Sequence, residues 1–295
     1  RQSASVDASR WLQTMSQVLL TPDTVSFNCV IDSCAKAGKW QMATQWLDRM
    51  TAVELKPNII SVSSLLNSCA KARSFNKAAE YFGKMQSWNL APDRISYTTM
   101  IDAASRSGDC SIAFSYYVKL LDAHMIPDTP CYNALINAAG NAGQLSEALK
   151  LFDKMKDERT EPNIITYNSI LKAIAKTGNV SECKKWMQRL FSDGVAPTLI
   201  TYNTLASAFA KAADAKAIEE LFVMMNGSCI EPDIITWNSM LTACGKAGGI
   251  RGTDTENVFR RMLASGIAPD RQAFRCLRRN VGQSRASALC IDLGI

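Results

Sequence analysis

One histidine, His124, serves the whole 295-residue chain, and it stands in a loop sequence just before Pro127. No His, Cys or Glu group has the spacing of metal ligands, so a hydrolytic metal centre is not expected. A glycine-rich phosphate loop is missing too, and with it the usual nucleotide cradle. The chain lacks any run of eighteen apolar residues, which excludes a membrane-spanning helix. Ten cysteines occur singly, without a CxxC pair, so they are expected to be reduced, buried, small apolar residues in a reducing compartment. The opening residues RQSASVDASRW carry neither the apolar core of a secretory signal nor a clear transit peptide. Catalytic residues, cofactors, metals and a small-molecule substrate are all absent from the expectation.

What the chain has instead is a period. Prolines stand at Pro22, Pro57, Pro92, Pro127, Pro162, Pro197 and Pro232, each 35 residues after the last, then at Pro269 after 37; only Pro130 falls outside the series. The phrase EPNIITYN at Glu161–Asn168 returns as EPDIITWN at Glu231–Asn238. A fixed period of this length marks a repeat architecture. Counted from the residue after each Pro-X pair, seven repeats result: 24–58, 59–93, 94–128, 129–163, 164–198, 199–233 and 234–270. Segment 1–23 fits the second half of a preceding repeat, because Trp11, Leu12 and Met15 match Trp46, Leu47 and Met50. Segment 271–295 begins an eighth and loses the pattern, as a partial or divergent C-terminal repeat or cap.

Each repeat reads as two helices. The first opens after Pro-Asp, Pro-Asn or Pro-Thr, carries an apolar series such as Tyr167, Ile170, Leu171 and Ile174, and stops at a residue like Gly178. The second runs from about Val180 to Leu190 with Trp186, Met187 and Leu190 on one side. Met50, Met85, Met155, Met225 and Met262 each precede a proline by seven residues and read as core. Such a pair cannot bury its apolar faces alone, so consecutive pairs must stack as an α-solenoid.

The charge is unevenly placed. The first fourteen residues of the seven repeats hold eight basic and two acidic residues, a surplus equal to the net charge of +6. The first helices are therefore a candidate polyanion track. Six repeats carry a cation at their thirteenth place: Lys36, Lys71, Arg106, Lys176, Lys211 and Lys246, with Asn141 the exception. A cation there complements the helix dipole, and it can also meet a phosphate.

The 35-residue unit, the openings ITYN at Ile165–Asn168 and Ile200–Asn203, AKAG at Ala35–Gly38, EALKLFDKM at Glu147–Met155 and the closing Pro-Asp or Pro-Asn together resemble the pentatricopeptide-repeat family over nearly the whole chain. The resemblance implies an all-α, right-handed superhelix of helix-turn-helix repeats that binds single-stranded RNA, one base per repeat, in a plastid or mitochondrion. By that resemblance the fifth and last residues of each repeat read the base: Asn28 with Asn58, Ser63 with Asp93, Thr98 with Asp128, Asn133 with Asn163, Asn168 with Thr198, Asn203 with Asp233, and Asn238 with Asp270. The implied preference is C, G, G, C, a pyrimidine, U and U. Aliphatic residues at the second place, Val25, Ile60, Ile95, Ile165, Ile200 and Ile235, would pack against the bases. An Asp or Asn ahead of a helix is equally a good N-cap, so residue chemistry alone leaves capping and reading both open.

Some places depart from the family's pattern. Pro130 takes the aliphatic place of the fourth repeat, Val62 the aromatic fourth place of the second, and Arg73 and Ala213 the glycine between helices; two residues are inserted near Gly249–Thr255. The expected function is a non-catalytic RNA-binding protein acting in organelle RNA processing, stability or translation. The alternative is a scaffold subunit holding protein partners in a large organellar assembly, a ribosome or a membrane-associated complex.

Overall fold

The computed structural model describes residues 2–18, 20–246 and 252–292. Among the described residues there are seventeen α-helices and no strand. The chain falls into two compact bodies, Arg1–Glu161 and Pro162–Ile295. In the first, α1 (Gln2–Gln17) precedes four pairs: α2 (Thr24–Lys36) with α3 (Trp40–Ala52), α4 (Ile59–Lys71) with α5 (Phe75–Ser87), α6 (Arg94–Ser107) with α7 (Cys110–Asp122), and α8 (Thr129–Asn141) with α9 (Leu145–Asp157). The second holds α10 (Ile164–Thr177) with α11 (Val180–Ser192), α12 (Leu199–Lys211) with α13 (Ala215–Gly227), and α14 (Ile234–Lys246) with α15 (Gly252–Ala264). It ends in α16 (Arg271–Val281) and α17 (Gln283–Asp292).

Within each body every first helix packs on the first helix of the next pair, and each second helix packs on its own partner. The first helices thus form one layer and the second helices another, the nearest-neighbour stacking of an α-solenoid. The register of the helices is set at their starts. Asp23, Asn58, Asp93, Asp128, Asn163, Thr198 and Asp270 all hold extended backbone at the N-cap, and the Asp and Asn side chains among them accept a backbone N–H of the first turn. Each such cap contributes about 1 kcal/mol to the helix it opens.

The ends are set by left-handed residues. Gly38, Gly108, Gly143 and Gly178 hold φ of 71–89° between the helices of their pairs, and Arg73 and Ala213 hold the same conformation at 57° and 59°. The two non-glycines therefore follow the turn rather than abolish it, at a steric cost to the backbone.

The core lies between the layers. Tyr132, Tyr167 and Tyr202 are fully buried on their first helices. A buried phenol needs a partner for its hydroxyl. Tyr132 donates to Glu158 at 2.6 Å, Tyr167 to Asp193, and Tyr202 pairs with Ser228 at 2.9 Å. Each partner is the C-cap of the second helix of the same pair, so the phenol pins the two helices together. Burial, joined by the carboxylate, pushes the Tyr132 and Tyr167 phenols far above their ordinary range, so they stay protonated donors. The five methionines before the prolines are fully buried.

One sequence expectation needs correction. Cys34, Cys69, Cys131, Cys183 and Cys244 are buried, but Cys29 and Cys229 are exposed and Cys110, Cys276 and Cys290 only partly covered. Cys29 sits on the outer side of α2 and Cys229 in a left-handed turn after α13, where neither layer covers it. Burial raises the Cys69 and Cys183 thiols to about 11 and Cys131 to about 12, so these three are inert packing groups. Trp11, matched in sequence to Trp46, is 71% exposed. Trp46 is buried because Phe27 packs edge-on against it and Ser9 Oγ accepts its indole N–H; no described residue does the same for Trp11. The insertion near Gly249–Thr255 falls partly on residues 247–251, outside the described residues.

Candidate nucleic-acid interface

On a first helix, the second, fifth, ninth and thirteenth places are three or four residues apart and so share one stripe. The second place is apolar and exposed: Val25, Ile60, Ile95, Ile165, Ile200 and Ile235 are all among the exposed large hydrophobics, from 50% for Ile235 to 68% for Ile200. Pro130 holds that place in α8 and is also exposed. It stands at the second helical residue, where the backbone N–H has no intrahelical acceptor and a proline costs nothing.

The fifth-place residues lie one turn further in. Asn28, Ser63, Thr98, Asn168 and Asn203 are half-buried, and Asn133 and Asn238 are buried. Three of them meet the cap of the next first helix. Asn28 Nδ2 donates to Asn58 Oδ1 at 3.2 Å, Asn203 Nδ2 to Asp233 Oδ2 at 3.0 Å, and Asn238 Nδ2 to both oxygens of Asp270 at 3.1 Å. The geometry thus joins residues that sequence paired at 30 or 32 positions apart. Thr98 Oγ1 and Asn168 Oδ1 are buried without a hydrogen-bond partner, and Ser63 makes no such bond to Asp93. Asn163 caps α10 through the N–H groups of Ile165 and Thr166, and at Thr198 the backbone N–H donates to Thr201 Oγ1.

In Asp233 the helix cap and the contact to the fifth-place side chain fall on different atoms. Asp233 Oδ1 accepts the N–H of Ile235 and Thr236, while its Oδ2 is held only by Asn203. In Asn58, Oδ1 takes both the Ser61 N–H and the Asn28 amide, which leaves the Asn58 Nδ2 group as a free donor. Two open grooves run along this stripe. One, of about 410 Å3, is lined by Ser63, Ile95, Thr98, Asp128 and Pro130 in the first body. The other, of about 350 Å3, is lined by Lys211, Ile235, Asn238, Lys246 and Asp270 in the second.

All six thirteenth-place cations are exposed in the last turn of their helices, but they are not equivalent. Lys36 pairs with Asp32 at 2.6 Å and Arg106 with Asp102 at 2.7 Å, each one turn back. Lys71, Lys176, Lys211 and Lys246 have Asn67, Lys172, Ser207 and Thr242 at that place. Partial burial and then the charges of Lys172 and Lys211 hold the Lys176 ammonium below its ordinary pKa, the sign of a crowded cationic patch. Arg94, the first residue of α6, pairs with Asp128 at 3.2 Å. Among the described residues no group of three or more His, Cys, Asp or Glu side chains is placed to hold a metal ion. Nor is any helix among the described residues long and apolar enough to cross a membrane.

Sequence reasoning missed the third place. Ser61, Ser96, Thr166, Thr201 and Thr236 are buried there, and their hydroxyls turn back toward the N-cap. Their recurrence every 35 residues was visible, but the hydroxyl in ITYN reads as an ordinary first-turn residue.

Stacked helix pairs with a stripe of exposed aliphatics, paired amides and carboxylates, and cations define a helical-repeat protein with a polar face on its first helices. The PPR repeat family model matches residues 22–71, 57–106, 127–176 and 162–211, and the PPR repeat model matches 95–124, 200–230 and 235–267. The chain belongs to the pentatricopeptide-repeat family. Its fold is similar to the pentatricopeptide repeat protein PPR10 in complex with an 18-nt psaJ RNA element, with a TM-score of 0.85 at 20% identity. That likeness covers 100% of this chain and 44% of the other, so the chain spans less than half the length of that relative. A structure of PPR10 from maize matches at a TM-score of 0.55 and 21% identity, over 96% of this chain and 45% of that one. The PPR domain of Arabidopsis thaliana protein-only RNase P 1 in complex with tRNA matches at 0.50 and 18%, covering 60% of this chain and 94% of the domain. No curated protein sequence matches the chain.

Proposed function

We propose that the chain binds single-stranded RNA along its first-helix stripes, one base per repeat, without chemistry of its own. The carrying observation is the row of six exposed aliphatic side chains, each one turn from a polar reading residue. Apolar side chains held in water at one place in successive repeats suit the faces of unstacked bases, and the neighbouring polar groups suit their edges. Asn203 with Asp233 offers a donor beside an acceptor, which complements O4 and N3–H of uracil. Asn28 with Asn58 offers two donors, which complements N3 and O2 of cytosine. Across the seven repeats the reading is C, G, G, C, a pyrimidine, U and U, and its setting is the processing, stability or translation of transcripts in a plastid or mitochondrion. A mobility-shift comparison of an oligonucleotide containing CGGCYUU with a scrambled one tests it. The expected result is a clear preference for the first; equal affinity removes the base code, and no affinity for either removes the function.

A further inference from the structure

Two of the fifth-place side chains, Asn28 and Asn203, are held by a hydroxyl from the next first helix. Thr236, the third residue of α14, places its Oγ1 2.7 Å from Asn203 Oδ1, 3.1 Å from Asp233 Oδ1 and 3.3 Å from the Asp233 N–H. Ser61 repeats the arrangement on α4: its hydroxyl donates to Asn28 Oδ1, lies 3.0 Å from Asn58 Oδ1 and accepts the Asn58 N–H at 3.1 Å. A hydroxyl has one proton. Asp233 Oδ1 is already served by two backbone N–H groups, so the proton goes by the shorter contact to Asn203.

We infer that the third-place hydroxyl of the following repeat, Thr236 and Ser61, is a positioning residue that fixes which way the reading amide of Asn203 and Asn28 points. With Oδ1 accepting from the hydroxyl and Nδ2 donating to the cap, the amide has one arrangement; turned over, Asn203 would aim its oxygen at the Asp233 carboxylate. The orientation leaves an N–H of Asn203 beside the free lone pair of Asp233 Oδ2, so the donor–acceptor order offered to a base follows from a residue that touches no base.

Two repeats that lack one of these groups behave as this requires. Where Ala273 takes the third place, Asn238 still donates to Asp270 but its buried Oδ1 has no partner. Where the cap is Thr198, the Thr201 hydroxyl pairs with Thr198 instead, and Asn168 Oδ1 is again without a partner. The relay therefore needs three groups: an amide at the fifth place, a hydroxyl at the third place of the next repeat, and an amide or carboxylate at the cap between them.

The base-reading part of this inference rests on the proposed function, and the test separates the two. In the free full chain, hydrogen exchange of the Asn203 side-chain amide, assigned by its loss in Asn203→Ser, is compared for wild type, Thr236→Val and Thr236→Ser. Circular dichroism confirms that each variant is folded. Faster amide exchange in Thr236→Val with wild-type behaviour in Thr236→Ser is expected; unchanged exchange in Thr236→Val overturns the positioning role whether or not RNA binds. With RNA, the ratio of affinities for U over C at the sixth base should fall about tenfold in Thr236→Val and survive in Thr236→Ser. A wild-type chain that does not discriminate U from C overturns the proposed function at this repeat, while the exchange data still decide the orientation.

Discussion

Asn203 donates its amide N–H to Asp233 Oδ2 across 30 residues at 3.0 Å, while Asp233 Oδ1 holds the start of α14. One carboxylate thus closes a helix with one oxygen and faces its neighbour's amide with the other. Asp233→Asn keeps the capping oxygen and replaces Oδ2 by a donor, and the Asn203 amide then shares the capping oxygen as the Asn28 amide does in Asn58. The expected result is a change of preference at the sixth base from U to C, by about tenfold in relative affinity, with the helix start intact. Titration of the variant against two oligonucleotides differing at that base measures it; a preference still for U sinks the assignment of Asp233 as a reader.

The turn residues give a prediction independent of RNA. Arg73 and Ala213 stand at φ of 57° and 59°, where Gly178 stands at 71° with open space around it for a Cβ. Steric cost to an L-residue there outweighs the extra unfolded-chain entropy of glycine. Ala213→Gly and Arg73→Gly should each stabilise by roughly 0.5–1 kcal/mol, and Gly178→Ala should destabilise by a similar amount. Urea unfolding midpoints decide it; a lower midpoint for Ala213→Gly would contradict the strain argument.

Much of this was legible because the repeat forces each local signal to recur. The Pro-Asp and Pro-Asn punctuation anticipates the helix starts: α4 begins at Ile59 behind Asn58 and α6 at Arg94 behind Asp93. The second-place aliphatics could be located by counting, but only the structure shows Ile60 and Ile200 standing exposed rather than joining the core. Spacing puts Asp32 one turn before Lys36 and Asn67 one turn before Lys71, but only the structure shows that the Lys36–Asp32 pair closes. The Thr236 relay was out of reach for a further reason. It depends on where one hydroxyl proton goes among three acceptors on two helices, and sequence spacing carries no such information.

That inequality among the cations reaches the salt dependence. Exposed pairs such as Lys36 with Asp32 are worth little to the fold, but they blunt the cation toward a phosphate. If the four cations without an aspartate one turn back each meet one phosphate, the slope of log affinity against log salt should be about −3, since each contact on a single strand contributes roughly −0.7. Lys211→Gln should flatten that slope by one such step. It should also leave stability unchanged or slightly raised, because Lys211 repels Lys176 in the free protein. A slope near zero would remove the phosphate role of the stripe.

The last repeat offers the reverse experiment, adding a group instead of deleting one. Asn238 Oδ1 is buried without a partner, and the third place of α16, which packs on α14, is Ala273, fully buried. Ser61 and Ser96 occupy the corresponding place with no exposure, so a serine fits where Ala273 stands. Ala273→Ser should supply the missing donor, while Asp270 continues to accept the Asn238 amide and the Ala273 N–H as it does now. Satisfying a buried acceptor is worth about 1 kcal/mol, so the variant should unfold at higher urea. Its affinity for RNA should rise mainly with U at the seventh base. A gain in stability with no gain in base preference would place the hydroxyl in the scaffold alone.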